Sequence, residues 1–292
     1  MRRRPFLFWL GAAILAGFVT VAILAPLLAP HDPRQPLTLP LSAPNREHPL
    51  GTNDLGQDVL SQLIHGTRSS LIVAVSVTAI STTLSWIVGL AAGFIRRVER
   101  VLMGLTDLLL ALPDLPLILL VLTLVGSTRT NLILVLGLLS WPAFARVVRA
   151  IVIGARAAPY VEASWALGAS DGHITARHLL PATVDVLPTK LVLTMRYAVF
   201  AEATLAFLGL SAGDTIGWGT MLNLALRDPL LFSRPIWPWL VLPPALAIAA
   251  LILATVWVRS ASSSASGGGV TRRRTSARRG PAGGQQDRPG SR

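Results

Sequence analysis

The sequence predicts an all-α membrane protein with six transmembrane helices and both termini in the cytoplasm. Of its 292 residues, 52% are hydrophobic and 14% are charged, so an ordinary soluble fold would leave large apolar surfaces in water. Apolar runs long enough to cross a bilayer recur along the chain. Most of the 26 Lys and Arg residues fall on one side of the resulting topology, as is typical of cytoplasmic loops. We therefore expect a multi-pass protein of the cell membrane, and the net charge of +12 needs no nucleic-acid partner to explain it.

The first predicted span, residues 6–29, follows a basic cytoplasmic N-terminus of residues 1–5. Its length distinguishes it from a signal peptide, whose apolar core has only about 7–15 residues. Residues 30–68 are rich in Pro, Gly, Asp and Asn, which predicts an extracytoplasmic loop. Its end contains an amphipathic stretch, whose apolar face is formed by Val59, Leu60, Leu63 and Ile64.

The core, residues 69–258, is predicted to contain five further spans: 69–94, 101–125, 131–148, 187–210 and 236–258. A short positive loop at 96–100 and a tight turn at 126–130 separate the second, third and fourth spans, and a loop at 211–235 separates the last two. Pro113 and Pro116 should kink the third span, because proline removes an intrahelical hydrogen bond.

The tail, residues 259–292, consists largely of Ser, Gly, Arg and Pro, and this composition predicts a disordered cytoplasmic segment. Its arginines either contact anionic lipid headgroups or remain solvated and only reinforce the orientation.

Several kinds of chemistry are missing from the sequence. The chain has no cysteine, which excludes disulfides, thiolate metal sites and cysteine nucleophiles. Its only lysine, Lys190, lacks the glycine framework of a phosphate-binding loop, and no hydrolase or metalloprotease motif is present. The histidines show no ligand spacing along the chain; they lie at positions 31, 48, 65, 173 and 178. The sequence thus predicts neither an enzyme nor a metal site.

A polar segment between two apolar spans, residues 159–181, carries helix signals. Pro159 is suited to the first turn of a helix, and Glu162 lies where the helix dipole favours a carboxylate. Gly168 should end this helix, Ser170 should cap a second one, and Pro181 should limit the second. We expect two short helices joined at a glycine, which could be either a simple connector or a docking element.

This segment resembles the EAA loop in membrane subunits of ATP-binding-cassette (ABC) importers, so we name residues 159–181 the EAA-like loop. Ser164 replaces the family's alanine and His178 replaces an isoleucine, although the ending His-x-Leu-Pro is similar to the peptide-importer branch. The resemblance implies that a partner ATPase is coupled through Glu162, Ala163, Ser164, Gly168, Ala169, His178, Leu180 and Pro181.

Two further strings strengthen the resemblance to dipeptide and oligopeptide permeases: HPLGTNDLGQDVLSQLIHGTR at 48–68 and AEATLAFLGL at 201–210. The resemblance implies a type I importer permease that pairs with a second, homologous permease. Two ATPase subunits would bind ATP and Mg²⁺, this chain would bind no cofactor, and an extracytoplasmic solute-binding protein would deliver di- or oligopeptides, nickel chelates or another small solute.

The alternative is a self-sufficient secondary transporter or channel, and a membrane scaffold is a third possibility. A secondary transporter should carry ionisable groups inside the membrane, and the sequence offers few of them. Two are candidates for the transport pathway. Glu202 either lines the pathway or pairs with a neighbouring helix, or else sits at the wet boundary of a cavity, and Asp107 has the same alternatives.

Overall fold

The computed structural model describes residues 3–210, 215–229 and 231–258, and these residues form an all-α fold. The first helices are α1 (Arg3–Ile23), α2 (Ala25–Leu28), α3 (Val59–Phe94), α4 (Arg96–Ala111), α5 (Asp114–Val125), α6 (Arg129–Leu139) and α7 (Pro142–Arg156). They are followed by α8 (Pro159–Ala166), α9 (Asp171–Ile174), a π-helical segment (Thr175–Leu179), α10 (Leu180–Val184), α11 (Leu187–Phe207), α12 (Trp218–Arg227) and α13 (Trp237–Leu240). After a turn at residue 241, the helix of α13 continues to Val258. The predicted disordered tail, 259–292, lies outside the described residues.

Four helical stretches within the described residues are long and apolar enough to cross a membrane: 6–23, 59–94, 129–156 and 237–258. The pair α4 and α5 also passes this test and raises the number to five if it counts as one span. Helix α11 coincides with the fifth predicted span but contains Lys190, Arg196 and Glu202, and it is not among these candidates.

Helix α3 begins earlier than the span predicted from Ser69. The Asp58 carboxylate accepts a hydrogen bond from the Ser61 backbone N–H at 2.8 Å and thereby caps the helix. The predicted amphipathic stretch therefore forms the first turns of α3, and the irregular part of the loop ends at residue 58.

The predicted third span is broken rather than merely kinked. Residues 96–100, expected to form a loop, are instead the start of α4. Helices α4 and α5 meet at 93°, with Leu112 and Pro113 in extended conformation between them. The residue before a proline is pushed out of the helical region, which accounts for the break.

The predicted loop 211–235 contains a helix that the sequence reading missed, α12. The Trp218 side chain at its start is completely buried and donates from Nε1 to the Leu63 carbonyl oxygen at 3.3 Å. Its ring also packs edge-on against Phe18, with 5.5 Å between ring centroids. This tryptophan fixes α12 between α1 and α3.

Helix α3 is the centre of the bundle and packs on α1, α6, α7 and α11. It lies close against α7, where added Cβ atoms at Gly89 and Gly93 would lie 2.6 Å from Val148 Cβ and 2.7 Å from Val152 Cβ. Glycines at a four-residue spacing allow membrane helices to approach this closely.

The buried apolar residues form two clusters. The larger one joins α1, α3, α5, α6, α11, α12 and α13. The smaller one joins Val148 and Val152 of α7 to Val161, Ile174 and Leu179. Because the last three belong to the EAA-like loop, this second cluster fixes the loop to the bundle.

Candidate coupling site

The EAA-like loop folds as two short helices joined at Gly168. Helix α8 starts with Pro159, has Glu162 in its first turn and ends at Ala166. Gly168 has a φ of +84°, and its N–H donates to the Trp165 carbonyl oxygen at 2.9 Å. A residue in this left-handed region just after a helix is the usual position for glycine, so the sequence prediction for the joint is confirmed.

The second helix starts after Ser170, as predicted, but it does not end at Pro181. The Ser170 side chain accepts from the His173 N–H at 3.3 Å. Pro181, expected to limit the helix, lies inside a helical run that continues through α10 to Val184. A π-helical turn precedes it, and such wider turns change which carbonyl groups need a donor. The prediction that Pro181 stops the helix was therefore wrong.

One face of the loop is buried against the bundle. Val161, Ile174 and Leu179 are fully buried against α7. The Trp86 indole of α3 donates to Thr183 Oγ1 at 2.7 Å, which ties the end of the second helix to the central helix.

Arg156, the last residue of α7, joins three elements. Its Nη1 donates to the carbonyl oxygens of Gly93 and Phe94, at 3.2 and 2.7 Å. Its guanidinium lies 5.0 Å from the Phe94 ring centroid and 5.5 Å from that of Trp165. A guanidinium within about 6 Å of a ring centroid attracts the ring. Arg156 therefore fastens α8 to the end of α3.

The opposite face of the loop is exposed. Leu167, at the tip beside Gly168, is 89% exposed, and Tyr160 is 55% exposed. The exposed face also includes Glu162, Ala163, Ala166, Gly168, Leu180 and Pro181, whereas Ala169 is half-buried. This face, with Leu167 at its tip, is therefore open to contact with another surface.

The two residues that depart from the family pattern touch each other. Ser164 Oγ lies 3.3 Å from His178 Nε2 and donates to the Tyr160 carbonyl oxygen at 2.8 Å. The His178 ring also lies 5.6 Å from the Tyr160 ring, measured between centroids. The serine and the histidine thus join the two helices of the loop through one polar contact.

Asp107 and Glu202, the two pathway candidates, lie on α4 and α11 and do not meet. Asp107 forms an ion pair with Arg146 of α7. A second pair, Glu99 with Arg149, joins the same two helices. These contacts connect α4 to the helix that leads into the EAA-like loop.

Glu202 is buried, and its Oε2 accepts a hydrogen bond from Ser70 Oγ of α3 at 2.8 Å. Gly217 leaves room for it, because an added Cβ at that position would lie 2.8 Å from Glu202 Oε1. The carboxylate therefore joins α11 to α3 beside the start of α12.

Lys190, the only lysine of the sequence, has its side chain buried in the bundle. Its Nζ donates to Ser81 Oγ at 2.8 Å and to the Ser140 carbonyl oxygen at 3.3 Å. Ser140 ends α6, where the fourth span breaks, and a cation is favourable at a helix C-terminus. Sequence spacing gave no signal for this contact.

Comparison with known proteins gives the family. A family model described as "binding-protein-dependent transport system inner membrane component" matches residues 81–265. Another, described as the N-terminal TM domain of oligopeptide transport permease C, matches residues 3–45.

Individual relatives match over most of both chains. A protein of Brucella suis biovar 1 (strain 1330) named as a peptide permease is 34% identical over 83% of this chain and 81% of its own. A peptide transport system permease of the same strain is 34% identical over 87% of this chain and 84% of its own length. The dipeptide transport system permease protein DppC of Bacillus subtilis (strain 168) is 34% identical over 78% of this chain and 71% of its own length. The chain therefore belongs to the binding-protein-dependent transport system inner membrane components, a family of multi-pass ABC transport permeases of the cytoplasmic membrane rather than enzymes.

Proposed function

We propose that this chain is one of two permease subunits of an ATP-driven importer for di- or oligopeptides, and that separate ATPase subunits drive it through the EAA-like loop. The observation that carries this proposal is the two-sided construction of the loop. One face of the loop packs against α3 and α7, whereas the other face, with Leu167 at its tip, is exposed.

A rigid element with one anchored face can transmit force from a partner to the bundle. The backbone hydrogen bonds of a helix are internally satisfied, so α8 resists bending when its exposed face is pushed. Its buried face contacts α7, and α7 packs on α3 along Gly89 and Gly93. Movement of the loop would therefore pass directly to the central helix of the permease.

The proposed topology has six spans, with the pair α4 and α5 as the third and α11 as the fifth. Two of the three charged residues of α11 are compatible with a span, because Glu202 and Lys190 are buried and hydrogen-bonded inside the bundle, as polar groups in membrane helices generally are. With the N-terminus inside, this topology places the EAA-like loop in the cytoplasm, where ATP is available.

The substrate and partner assignments come from the relatives. The two Brucella proteins are named for peptide transport and the Bacillus protein for dipeptide transport. The family description includes dependence on a binding protein. On these grounds we propose that a solute-binding protein delivers a short peptide to a pair of permeases, and that ATP and Mg²⁺ bind to the ATPase subunits.

The coupling role is tested by Gly168→Val in the complete transporter. Valine at a φ of +84° is strained by about 1–3 kcal/mol, which should change the direction of the chain between the two helices. We expect normal membrane insertion but loss of peptide uptake and of ATPase stimulation, measured in proteoliposomes containing all subunits.

Gly172→Val is the matched control. Gly172 has open space around its Cβ position and no positive φ, so this variant should transport nearly as well as the wild type. Normal uptake by Gly168→Val would refute the coupling role. Transport by the purified chain alone, driven by an ion gradient, would instead establish the alternative of a secondary transporter.

A further inference from the structure

Three potential metal ligands that are far apart in sequence meet at the start of α3. They are His31, His48 and Asp58, and their ligand atoms all lie within 4.8 Å of one another. His48 Nδ1 is hydrogen-bonded to Asp58 Oδ1 at 3.0 Å, a contact that a bound ion would replace, and His31 Nδ1 is 3.8 Å from Asp58 Oδ2. This group lies at the opposite end of α3 from the EAA-like loop.

These separations are close to those of a metal site. Bonds of about 2.0–2.1 Å from Zn²⁺ to nitrogen or oxygen in tetrahedral geometry place neighbouring ligand atoms about 3.3 Å apart. The two separations between histidine and Asp58, 3.0 and 3.8 Å, lie on either side of this value. The two imidazole rings lie side by side, with 4.9 Å between their centroids, and no two of the three ligand atoms are more than 4.8 Å apart.

His31 provides an independent indication of a ligand. Its Nδ1 atom is buried and has no hydrogen-bond partner in the structure. A buried polar atom without a partner is costly and therefore uncommon. Because the backbone N–H of His31 donates to Ser61 Oγ at 3.1 Å, the residue is held in place while its ring nitrogen remains available.

The other two ligands are also held in position. Asp58 Oδ2 accepts from both the N–H and the hydroxyl of Ser61, at 2.8 and 2.7 Å. The His48 N–H donates to Asn45 Oδ1 at 2.7 Å. Hydrogen bonds that orient ligands in this way are a regular feature of metal sites.

We propose that His31, His48 and Asp58 bind a divalent transition-metal ion, with Zn²⁺ as the best match. Imidazole and carboxylate donors suit Zn²⁺ and neighbouring ions such as Co²⁺. His31 also lines a cavity of about 700 Å³, so water from this cavity would occupy the fourth position. The ion would join the segment after α2, the turn at His48 and the first turn of α3, and thus fix the loop between the first two spans.

The test uses the full-length chain in detergent, purified without a polyhistidine tag and stripped with a chelator. ZnCl₂ is titrated by calorimetry, and the melting temperature is followed with increasing Zn²⁺. We expect one saturable ion per chain and a melting temperature that rises with Zn²⁺ concentration, because the ion binds the folded state. Co²⁺ should give the visible absorption of a tetrahedral site.

His31→Ala is the decisive variant, since it removes a ring nitrogen that has no hydrogen-bond partner in the structure and preserves the backbone contact to Ser61. Its metal-free melting temperature should stay close to that of the wild type. Its Kd for Zn²⁺ should rise by about 100-fold or more, because removing a group that merely supports a ligand already costs roughly 10- to 100-fold.

His65→Ala is the matched control, since His65 lines the same cavity but does not belong to the ligand group. It should bind Zn²⁺ as the wild type does. Absence of saturable binding to the wild type, unchanged binding by His31→Ala, or an equal loss in His65→Ala would each overturn the proposal.

Discussion

Ser164 and His178 are the two positions at which the EAA-like loop departs from the family pattern, and they contact each other at 3.3 Å. A hydrogen bond of this kind typically contributes about 0.5–1.5 kcal/mol. We therefore expect a coupling energy of that size in a double-mutant cycle of Ser164→Ala and His178→Ile, measured by thermal unfolding in detergent.

The double variant restores the family residues at both positions and should be less destabilised than the sum of the single variants. The control cycle combines His178→Ile with Thr123→Ala, a remote change in α5 that should be additive. If the effects of Ser164→Ala and His178→Ile on the free energy of unfolding also add, the contact between the two side chains does not contribute to stability.

The buried Glu202 carboxylate is stabilised by a hydrogen bond from Ser70. Replacing Ser70 with alanine leaves the buried carboxylate without the hydrogen bond from Ser70 Oγ. We expect a loss of about 1–3 kcal/mol in the free energy of unfolding, the usual cost of a buried polar group without its partner. Glu202→Gln should cost less, because its amide oxygen can still accept from Ser70.

The comparison for this prediction is Thr204→Ala on the same helix. Thr204 is half-buried, and its Oγ1 donates to the Phe200 carbonyl oxygen one turn earlier in α11; because its removal leaves the bond between α3 and α11 intact, it should change stability by less than about 0.5 kcal/mol. If Ser70→Ala proves as mild as Thr204→Ala, the bond between α3 and α11 does not stabilise the bundle.

At the scale of helices, the close contact between α3 and α7 depends on glycine. A Cβ added at Gly89 would lie 2.6 Å from Val148 Cβ and 2.8 Å from the Ala145 carbonyl oxygen. One of the two helices would have to shift, and such overpacking costs about 1–3 kcal/mol. We expect Gly89→Ala to lower the melting temperature and to loosen the EAA-like loop, because Val148 also belongs to the cluster that anchors it.

Gly154→Ala supplies the control on α7 itself. No atom lies within 4 Å of an added Cβ there, so the better helix propensity of alanine should leave the protein as stable or more stable, by up to about 1 kcal/mol. Equal effects at both positions would mean that the α3–α7 distance is not set by Gly89.

Local signals predicted the loop well because they act over a few residues. Pro159, Gly168 and Ser170 have the positions that their backbone chemistry favours. Pro181 was misjudged because a π-helical turn, which has no recognisable sequence pattern, accommodates it. The burial of Lys190 was missed for a related reason, since its partners come from α3 and α6, far away in sequence.

Hydropathy gave the apolar stretches but not the shape of each one. It cannot distinguish a kink from the 93° break between α4 and α5. It also did not indicate α12, because this helix of ten residues is too short for a span and is held in place by the burial of Trp218. Likewise, the convergence of His31, His48 and Asp58 depends on how the segment before α3 folds back on that helix.

For the whole molecule, the central proposal is that the two ends of α3 face opposite sides of the membrane. The EAA-like loop would then face ATP, and the segment between α2 and α3 would face the solute-binding protein. The absence of cysteine from the sequence makes this orientation directly testable, because one introduced cysteine per variant is then the only thiol in the chain.

Leu167→Cys and Leu39→Cys mark the two sides, since the native side chains are 89% and 77% exposed. Each variant is expressed without partner subunits, so that no ATPase covers residue 167, and intact spheroplasts are treated with a membrane-impermeant maleimide. The cysteine at 39 should be labelled at once, and the cysteine at 167 only after the membrane is permeabilised. Labelling of residue 167 in intact spheroplasts would place the loop outside, away from ATP, and would exclude coupling to a cytoplasmic ATPase whatever the family resemblance.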